Sequence, residues 1–175
     1  MKLKLIMFIT VLIAVMSVFT FAQKEDSKSE SSIKEQCGDK VGDFVLCIET
    51  DKSEFKVDEP VLLRLFLKNI SDQKVELMTS SVDYSYEVKN KDGESVDFLK
   101  DSDSYMSRFF ISARKTSEIE PSGKLFKPFV LSKLYDLGTA GEYSIVAKRL
   151  VPKNSGGKSD LEIKSKEIKI KITPK

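Results

Sequence analysis

The sequence predicts an all-β fold, an immunoglobulin-like antiparallel β-sandwich of about eight strands. Short segments in which apolar and polar residues alternate recur at close intervals after residue 41. Turn-forming Gly, Pro, Asn and Asp residues separate them, and no segment keeps a helical period over three turns. We therefore assign residues 1–22 to a signal peptide, 23–40 to a flexible polar leader and 41–175 to the sandwich domain.

The N-terminus has the features of an export signal. Lys2 and Lys4 precede an apolar run that closes on Thr20-Phe21-Ala22, with small residues at both positions that signal peptidase reads. An uncleaved membrane anchor is the alternative, because the run approaches the roughly 20 residues that span a bilayer. Cleavage before Gln23 predicts an exported protein, periplasmic or secreted, with no remaining membrane span.

The leader and the charge balance narrow the class of partner. Residues 23–40 carry almost no apolar side chains, so they cannot bury enough surface to offset the entropy lost on ordering. Removing Lys2 and Lys4 from the 29 basic residues balances the 27 acidic ones. A neutral chain with interspersed charges lacks the clustered basic excess of a nucleic-acid-binding surface.

Cys37 and Cys47 are the two cysteines of the chain. An exported protein meets an oxidising compartment, and a turn near Gly42, midway between the cysteines, would place them opposite each other. The sequence therefore predicts a Cys37–Cys47 disulfide, with two unconnected thiols as the alternative. We predict no metal site, since two cysteines without any histidine supply too few soft ligands.

The predicted strands follow one another closely along the domain. The period of two in FVLCIET (44–50) places Phe44, Leu46 and Ile48 on one face and Cys47 on the other. In VLLRLFLKN (61–69) it places the odd-numbered apolar residues inward and Arg64 and Lys68 outward. Pro128 restricts LFKPFVLSKL to an edge strand or an irregular segment, and Asp92-Gly93 predicts a tight hairpin. The remaining predicted strands are VELMT (75–79), YSYEVKN (84–90), ESVDFL (94–99), SRFFISA (107–113), LFKPFVLSKL (125–134), EYSIVAKRLV (142–151) and LEIKSKEIKIKI (161–172).

The stretch KLYDLGTAGEYSIVAKR (133–149) predicts a corner between two sheets. Tyr143 stands near the start of a strand, where a tyrosine of an immunoglobulin-like sandwich folds back and bonds the backbone a few residues upstream. Asp136 and Gly141 supply the bend ahead of it. A catalytic role for Tyr135 or Tyr143 has no neighbouring base or metal to support it, so we interpret both as structural.

Three segments carry a family resemblance. FKVDEPVLLRLFLKNISDQKVEL (55–77), YSYEVKNKDGESV (84–96) and AGEYSIVAKR (140–149) resemble the opening strand, a later strand pair and the closing corner of bacterial immunoglobulin-like domains. The BsuPI-like proteinase-inhibitor family is one of these, and exported bacterial proteins of uncharacterised type are similar in the same way. The resemblance covers roughly Phe44 to Ile172. It implies the sandwich fold and, for the BsuPI-like family, inhibition of a serine proteinase.

The residues offer little catalytic chemistry. The chain has no histidine, which excludes Ser-His-Asp and Cys-His arrangements and histidine-bound zinc. Asp97, Asp101 and Asp103 provide oxygen ligands of the kind that Ca²⁺ prefers, but the loop lacks the glycine and distal glutamate of an EF-hand. We interpret it as a solvated acidic loop.

The sequence therefore predicts a monomeric, non-enzymatic binding module, without a cofactor, whose partner is a protein of the cell envelope or beyond it. Proteinase inhibition of the BsuPI-like type is the first alternative. A hydrolase that uses two carboxylates is the second, because acidic residues are abundant and their separation cannot be inferred from the sequence.

Overall fold

Eleven β-strands make up the part of the chain that the computed structural model describes, residues 33–79, 83–100, 115–152 and 160–175. The prediction of an all-β sandwich is confirmed, with eleven strands there instead of about eight. One 3-10 turn follows the eighth strand, at Leu131–Lys133. The strands are β1 (Ile33–Cys37), β2 (Phe44–Thr50), β3 (Glu54–Lys56), β4 (Leu62–Asn69), β5 (Val75–Thr79), β6 (Tyr84–Asn90), β7 (Lys115–Ile119), β8 (Lys124–Val130), β9 (Gly141–Pro152), β10 (Asp160–Lys164) and β11 (Ile168–Thr173).

The first sheet has the order β1-β2-β4-β8, and every pair in it is antiparallel. Its inward face follows from the period of two in the sequence, because successive side chains of a strand point to opposite faces. Leu46 lies opposite Leu67, and Ile48 lies opposite Leu65, and all four are fully buried. The outward positions of β4 carry Arg64 and Lys68, as the alternation predicts.

The second sheet is organised around β9. Ile145 of β9 pairs with Val88 of β6 and also with Ile168 of β11, so these two strands flank β9 on opposite sides. β10 and β11 pair with β9 one after the other along the same side. β3 adds to the outer edge of β11 in parallel, the one parallel pair among the described strands.

A β-bulge separates β10 from β11, which the sequence presented as one continuous strand. Between the Lys164–Lys148 pair and the Ile168–Ile145 pair, three residues stand opposite two in β9. Ser165 closes the bulge: its Oγ accepts a hydrogen bond from the N–H of Ala147 at 3.0 Å. Because of the extra residue, the even-numbered side chains of β11 point inward, and Ile168 is buried.

The core lies between the two sheets and extends over a third, two-stranded one. The aliphatic side chains of β2 and β4 face those of β9, β10 and β11, and none of these described core residues is more than 8% exposed. This arrangement gives each sheet the second layer that it needs to bury its apolar face. The largest fully buried side chains are Phe55, Leu46, Ile48, Leu63, Leu65, Leu67, Leu131, Ile145, Ile163, Ile170, Val61 and Val151.

The third sheet is a ribbon, β5 paired with β7, and Asn69 ties it to the first sheet. Asn69 is fully buried at the end of β4. Its Nδ2 donates to the carbonyls of Gln73, Ile119 and Glu120 at 2.7, 3.0 and 3.2 Å. Its Oδ1 accepts from the N–H of Ser71 at 3.0 Å. One side chain therefore holds the β4–β5 turn against the end of β7.

Among the described strands, β8 lies at the edge of the first sheet, which is one of the two positions that Pro128 predicts. The N–H of Asn69 donates to the carbonyl of Gly123, and the N–H of Leu131 donates to the carbonyl of Val61. Hydrogen-bonded pairs alternate along an antiparallel ladder, so the odd-numbered residues of β8 bond to β4. Pro128 is even-numbered, and its missing N–H therefore lies on the free side of β8 and costs no ladder bond.

Two further sequence predictions are wrong. The sequence predicts a flexible leader through residue 40, but Ile33–Cys37 forms β1 against β2. ESVDFL (94–99) is not a strand, since only Ser95 and Phe98 form isolated bridges. Whether a neighbouring strand is available for hydrogen bonding decides the conformation of both segments more than their own side-chain alternation does.

The signal peptide, most of the leader and the predicted strand at 107–113 lie outside the described residues. Within the described residues no helix is long and apolar enough to cross a membrane.

Candidate functional site

A cleft of about 290 Å³ opens at one end of the sandwich, between the turn after β6 and the corner before β9. One wall is the turn from Asn90 to Asp97, and the other is the segment from Asp136 to Tyr143. Loops at the end of a rigid sandwich are where such folds usually carry binding residues. We therefore take this cleft as the candidate functional site.

The wall after β6 is a turn held by its own side chains. Asn90 Oδ1 accepts hydrogen bonds from the N–H groups of Asp92 and Glu94, each at 3.0 Å. Gly93 adopts a positive φ of 82°, which glycine accepts without steric cost. The predicted Asp92-Gly93 turn is thus present, and its conformation is fixed by hydrogen bonds instead of being left to a ligand.

The opposite wall is the corner that the sequence predicts. Asp136 Oδ1 accepts from the N–H of Gly138 at 3.0 Å, which bends the chain locally. Tyr143 donates its hydroxyl to the carbonyl of Thr139 at 2.7 Å, four residues upstream. Gly141 begins β9 and pairs with Ile172 of β11. The structure therefore brings Asp136, Gly141 and Tyr143 together on one wall.

The two walls are also joined to each other. The N–H of Asp136 donates to the carbonyl of Asp97 at 3.0 Å, and the N–H of Leu99 donates to the carbonyl of Leu134 at 2.7 Å. Tyr135 adds a longer connection, because its hydroxyl donates to the carbonyl of Tyr86 in β6 at 2.7 Å. Nothing in the sequence pattern indicates this second tyrosine bond. Such a site is preorganised, so a ligand need not order it on binding.

Both tyrosines of the corner are held neutral. Burial raises the pKa of Tyr135 to about 12. Burial, and then the neighbouring Asp136 carboxylate, raise the pKa of Tyr143 as well. Each hydroxyl already donates its proton to a backbone carbonyl. Their bonds hold the corner in shape, which is the structural role that the sequence suggested.

The rim of the cleft is acidic. Asp92, Asp97, Asp136 and Glu142 line it with exposed carboxylates, and Lys91 is the one cation among the described residues that line the cleft. Of the aspartates considered as calcium ligands, Asp97 lies at this rim, whereas residues 101 and 103 fall outside the described residues. The surface therefore favours groups that carry positive charge or donate hydrogen bonds.

An exposed aromatic ring stands beside the cleft. Phe98 is 60% exposed, and its ring stacks on that of Tyr135 with 4.7 Å between the ring centroids. A second cavity, of about 440 Å³, lies between Asp97–Lys100 and Asp136. The sequence predicts that Phe98 belongs to a strand (94–99) and assigns it no role in a site. An apolar residue next to a tight turn and an acidic rim was the signal that this prediction missed.

The predicted disulfide is present away from this cleft. Cys37 in β1 pairs directly with Cys47 in β2, and their Cα atoms are 4.0 Å apart. The N–H of the next residue, Gly38, donates to the carbonyl of Leu46, so the cysteines form a non-hydrogen-bonded pair. Side chains approach most closely at such pairs.

Comparisons with known proteins add little to this description. No protein-family model matches the chain, and no curated protein matches it. A solved structure titled as a conserved hypothetical protein from Bacillus anthracis is similar at 15% identity, over 77% of this chain and 99% of that one. The TM-score of that match is 0.27, so it carries no argument about fold or function.

Proposed function

We propose that the protein is an exported, non-enzymatic binding module that recognises a protein partner outside the cytoplasm through the cleft and Phe98. The exposed ring of Phe98 beside the hydrogen-bonded, acidic walls is the observation that carries the proposal. Protein interfaces commonly combine an aromatic anchor with a polar rim. The Cys37–Cys47 disulfide supports the export part, because disulfides persist in oxidising compartments.

The test compares two exposed phenylalanines. Phe98→Ala removes the ring beside the cleft, and Phe126→Ala removes a ring that is 50% exposed on the outer face of the first sheet. Wild type and both variants, with native far-UV circular dichroism, would be used to capture partners by crosslinking in the envelope of the source cell. We expect Phe98→Ala to lose the partner that wild type and Phe126→Ala retain. Equal capture by all three proteins would refute the role of the cleft.

Proteinase inhibition is a special case that the same proteins can test. Titration of wild type against a panel of serine proteinases should leave their activity unchanged if the partner is of another class. Stoichiometric inhibition that Phe98→Ala abolishes would instead identify the partner as a proteinase, and the cleft as the inhibitory surface.

A further inference from the structure

A cluster of three potential metal ligands lies on the outer face of the first sheet, and none of its residues lines the cleft. The sulfur atoms of Cys37 and Cys47 and a carboxylate oxygen of Glu35 all lie within 4.8 Å of one another. Glu35 precedes Cys37 by two residues in β1, and side chains so spaced share a face of a strand. β1 pairs with β2, and this pairing brings Cys47 to the other two.

The carboxylate of Glu35 is satisfied on one side only. Oε2 accepts a hydrogen bond from the Nζ of Lys68 at 2.7 Å. Oε1 is buried, and it has no hydrogen-bond partner among the residues that the structure describes. A buried anionic oxygen without a donor is costly. A cation placed between this oxygen and the two sulfurs would offset that cost.

We propose that Glu35, Cys37 and Cys47 bind one Zn²⁺ when the disulfide is reduced. A dithiol reductant supplies two electrons and two protons, breaks the S–S bond to give two thiols, and is itself oxidised to a disulfide. Zn²⁺ then replaces the two thiol protons, which are released to solvent. Two thiolates and one carboxylate complete three positions of a tetrahedral zinc site, and water takes the fourth.

The ligand chemistry selects this metal. Thiolates bind Zn²⁺ well, whereas Ca²⁺ and Mg²⁺ take oxygen ligands almost exclusively. Three anionic ligands around a divalent ion leave a net charge of about −1 on the site. The ammonium of Lys68 partly balances this charge, because it bonds the other carboxylate oxygen of Glu35. In the oxidised protein the sulfurs are not thiolates, so we expect binding only after reduction.

The experiment measures Zn²⁺ affinity by competition with a chromophoric chelator, using oxidised protein and protein reduced with a phosphine. We expect one Zn²⁺ per reduced chain and none per oxidised chain. Glu35→Gln should weaken binding by about tenfold or more. Glu54→Gln is the matched control, because Glu54 is also a strand residue paired with a lysine, Lys171, but lies in β3 away from the sulfurs. It should bind as wild type does.

Cobalt provides a readout of the ligands themselves. Co²⁺ in the reduced protein should show thiolate-to-metal charge-transfer absorption, which the double Cys37→Ser, Cys47→Ser variant should lack. Equal Zn²⁺ affinity in Glu35→Gln and wild type would remove Glu35 from the site, and binding by oxidised protein would overturn the proposal. A reduced chain that loses its native circular dichroism, without recovery on adding Zn²⁺, would overturn it as well.

Discussion

Replacing Tyr143 with phenylalanine tests how the corner is held. The substitution removes one oxygen atom and leaves the ring, which is buried with 6% exposure, in place. The lost interaction is the hydrogen bond from the hydroxyl to the carbonyl of Thr139 at 2.7 Å. No other contact needs to change, so the variant isolates this bond.

The loss in free energy of unfolding depends on whether water can donate a hydrogen bond to the carbonyl of Thr139 in the variant. An average hydrogen bond contributes about 1 kcal/mol, and a buried acceptor left without a donor costs about 1–3 kcal/mol. Thr139 is exposed, so water can reach its carbonyl, and the lower figure applies. We expect Tyr143→Phe to lower the free energy of unfolding by about 1 kcal/mol. With a urea m-value of about 2 kcal/mol/M, the unfolding midpoint falls by about 0.5 M.

Tyr135→Phe is the comparison. Its hydroxyl bonds the carbonyl of Tyr86, a half-buried residue within β6, so water replaces the lost donor less readily. We expect a loss of about 2 kcal/mol, or about 1 M in the urea midpoint. Fluorescence-monitored urea unfolding of both variants measures this. A Tyr143→Phe midpoint within error of wild type would refute the corner argument, and a larger loss for Tyr143→Phe than for Tyr135→Phe would refute the argument from water access.

Three further predictions concern other parts of the fold. The double Cys37→Ser, Cys47→Ser variant should lose at most about 2–3 kcal/mol in denaturant unfolding, because the disulfide closes a short loop. Asn69→Ala should cost about 3 kcal/mol in the same assay, since it leaves buried carbonyls of the ribbon without a donor. Hydrogen bonds from Lys148 and then Lys89 lower the pKa of Glu87 to about 2 from 4.5, so its contribution to stability is present above pH 4.5 and is lost as the pH falls toward 2. Glu87→Gln should flatten the acid limb of an unfolding curve there by less than about 1 kcal/mol, because the carboxylate is partly exposed.

The sequence predicted those strands that bury one face, because burial requires apolar and polar side chains to alternate. β2 and β4 are buried on one face, so their pattern has a single solution. β1 reads IKEQC and carries no such pattern, because its strand conformation comes from pairing with β2. The bulge at Ser165 was detectable: inward residues are odd-numbered through Ile163 and even-numbered from Ile168. A change of phase by one residue requires an extra residue in the ladder.

The corner was predictable and the cleft was not, for a physical reason. The bond of Tyr143 is local, joining residues four positions apart, so sequence spacing can suggest it. The bond of Tyr135 to Tyr86 joins residues 49 positions apart, and only the packed fold brings them together. The position of Glu35 beside the cysteines could not be predicted, for the same reason. Its neighbours Lys68 and Cys47 come from two other strands, and the segment that contains it was assigned to a flexible leader.

The position of Pro128 has a consequence for how this protein behaves at high concentration. An open strand edge is a template on which another copy can add its own strand, which is the first step of ordered aggregation. Pro128 lacks the N–H group that would point away from β4, so an added strand would find one backbone donor missing, while the hydrogen bonds between β8 and β4 are unaffected. Lys124 and Lys127 on the same strand add like-charge repulsion between copies. At the edge of the described part of this sheet, the fold thus opposes self-assembly with a residue whose missing N–H removes no hydrogen bond from the native ladder.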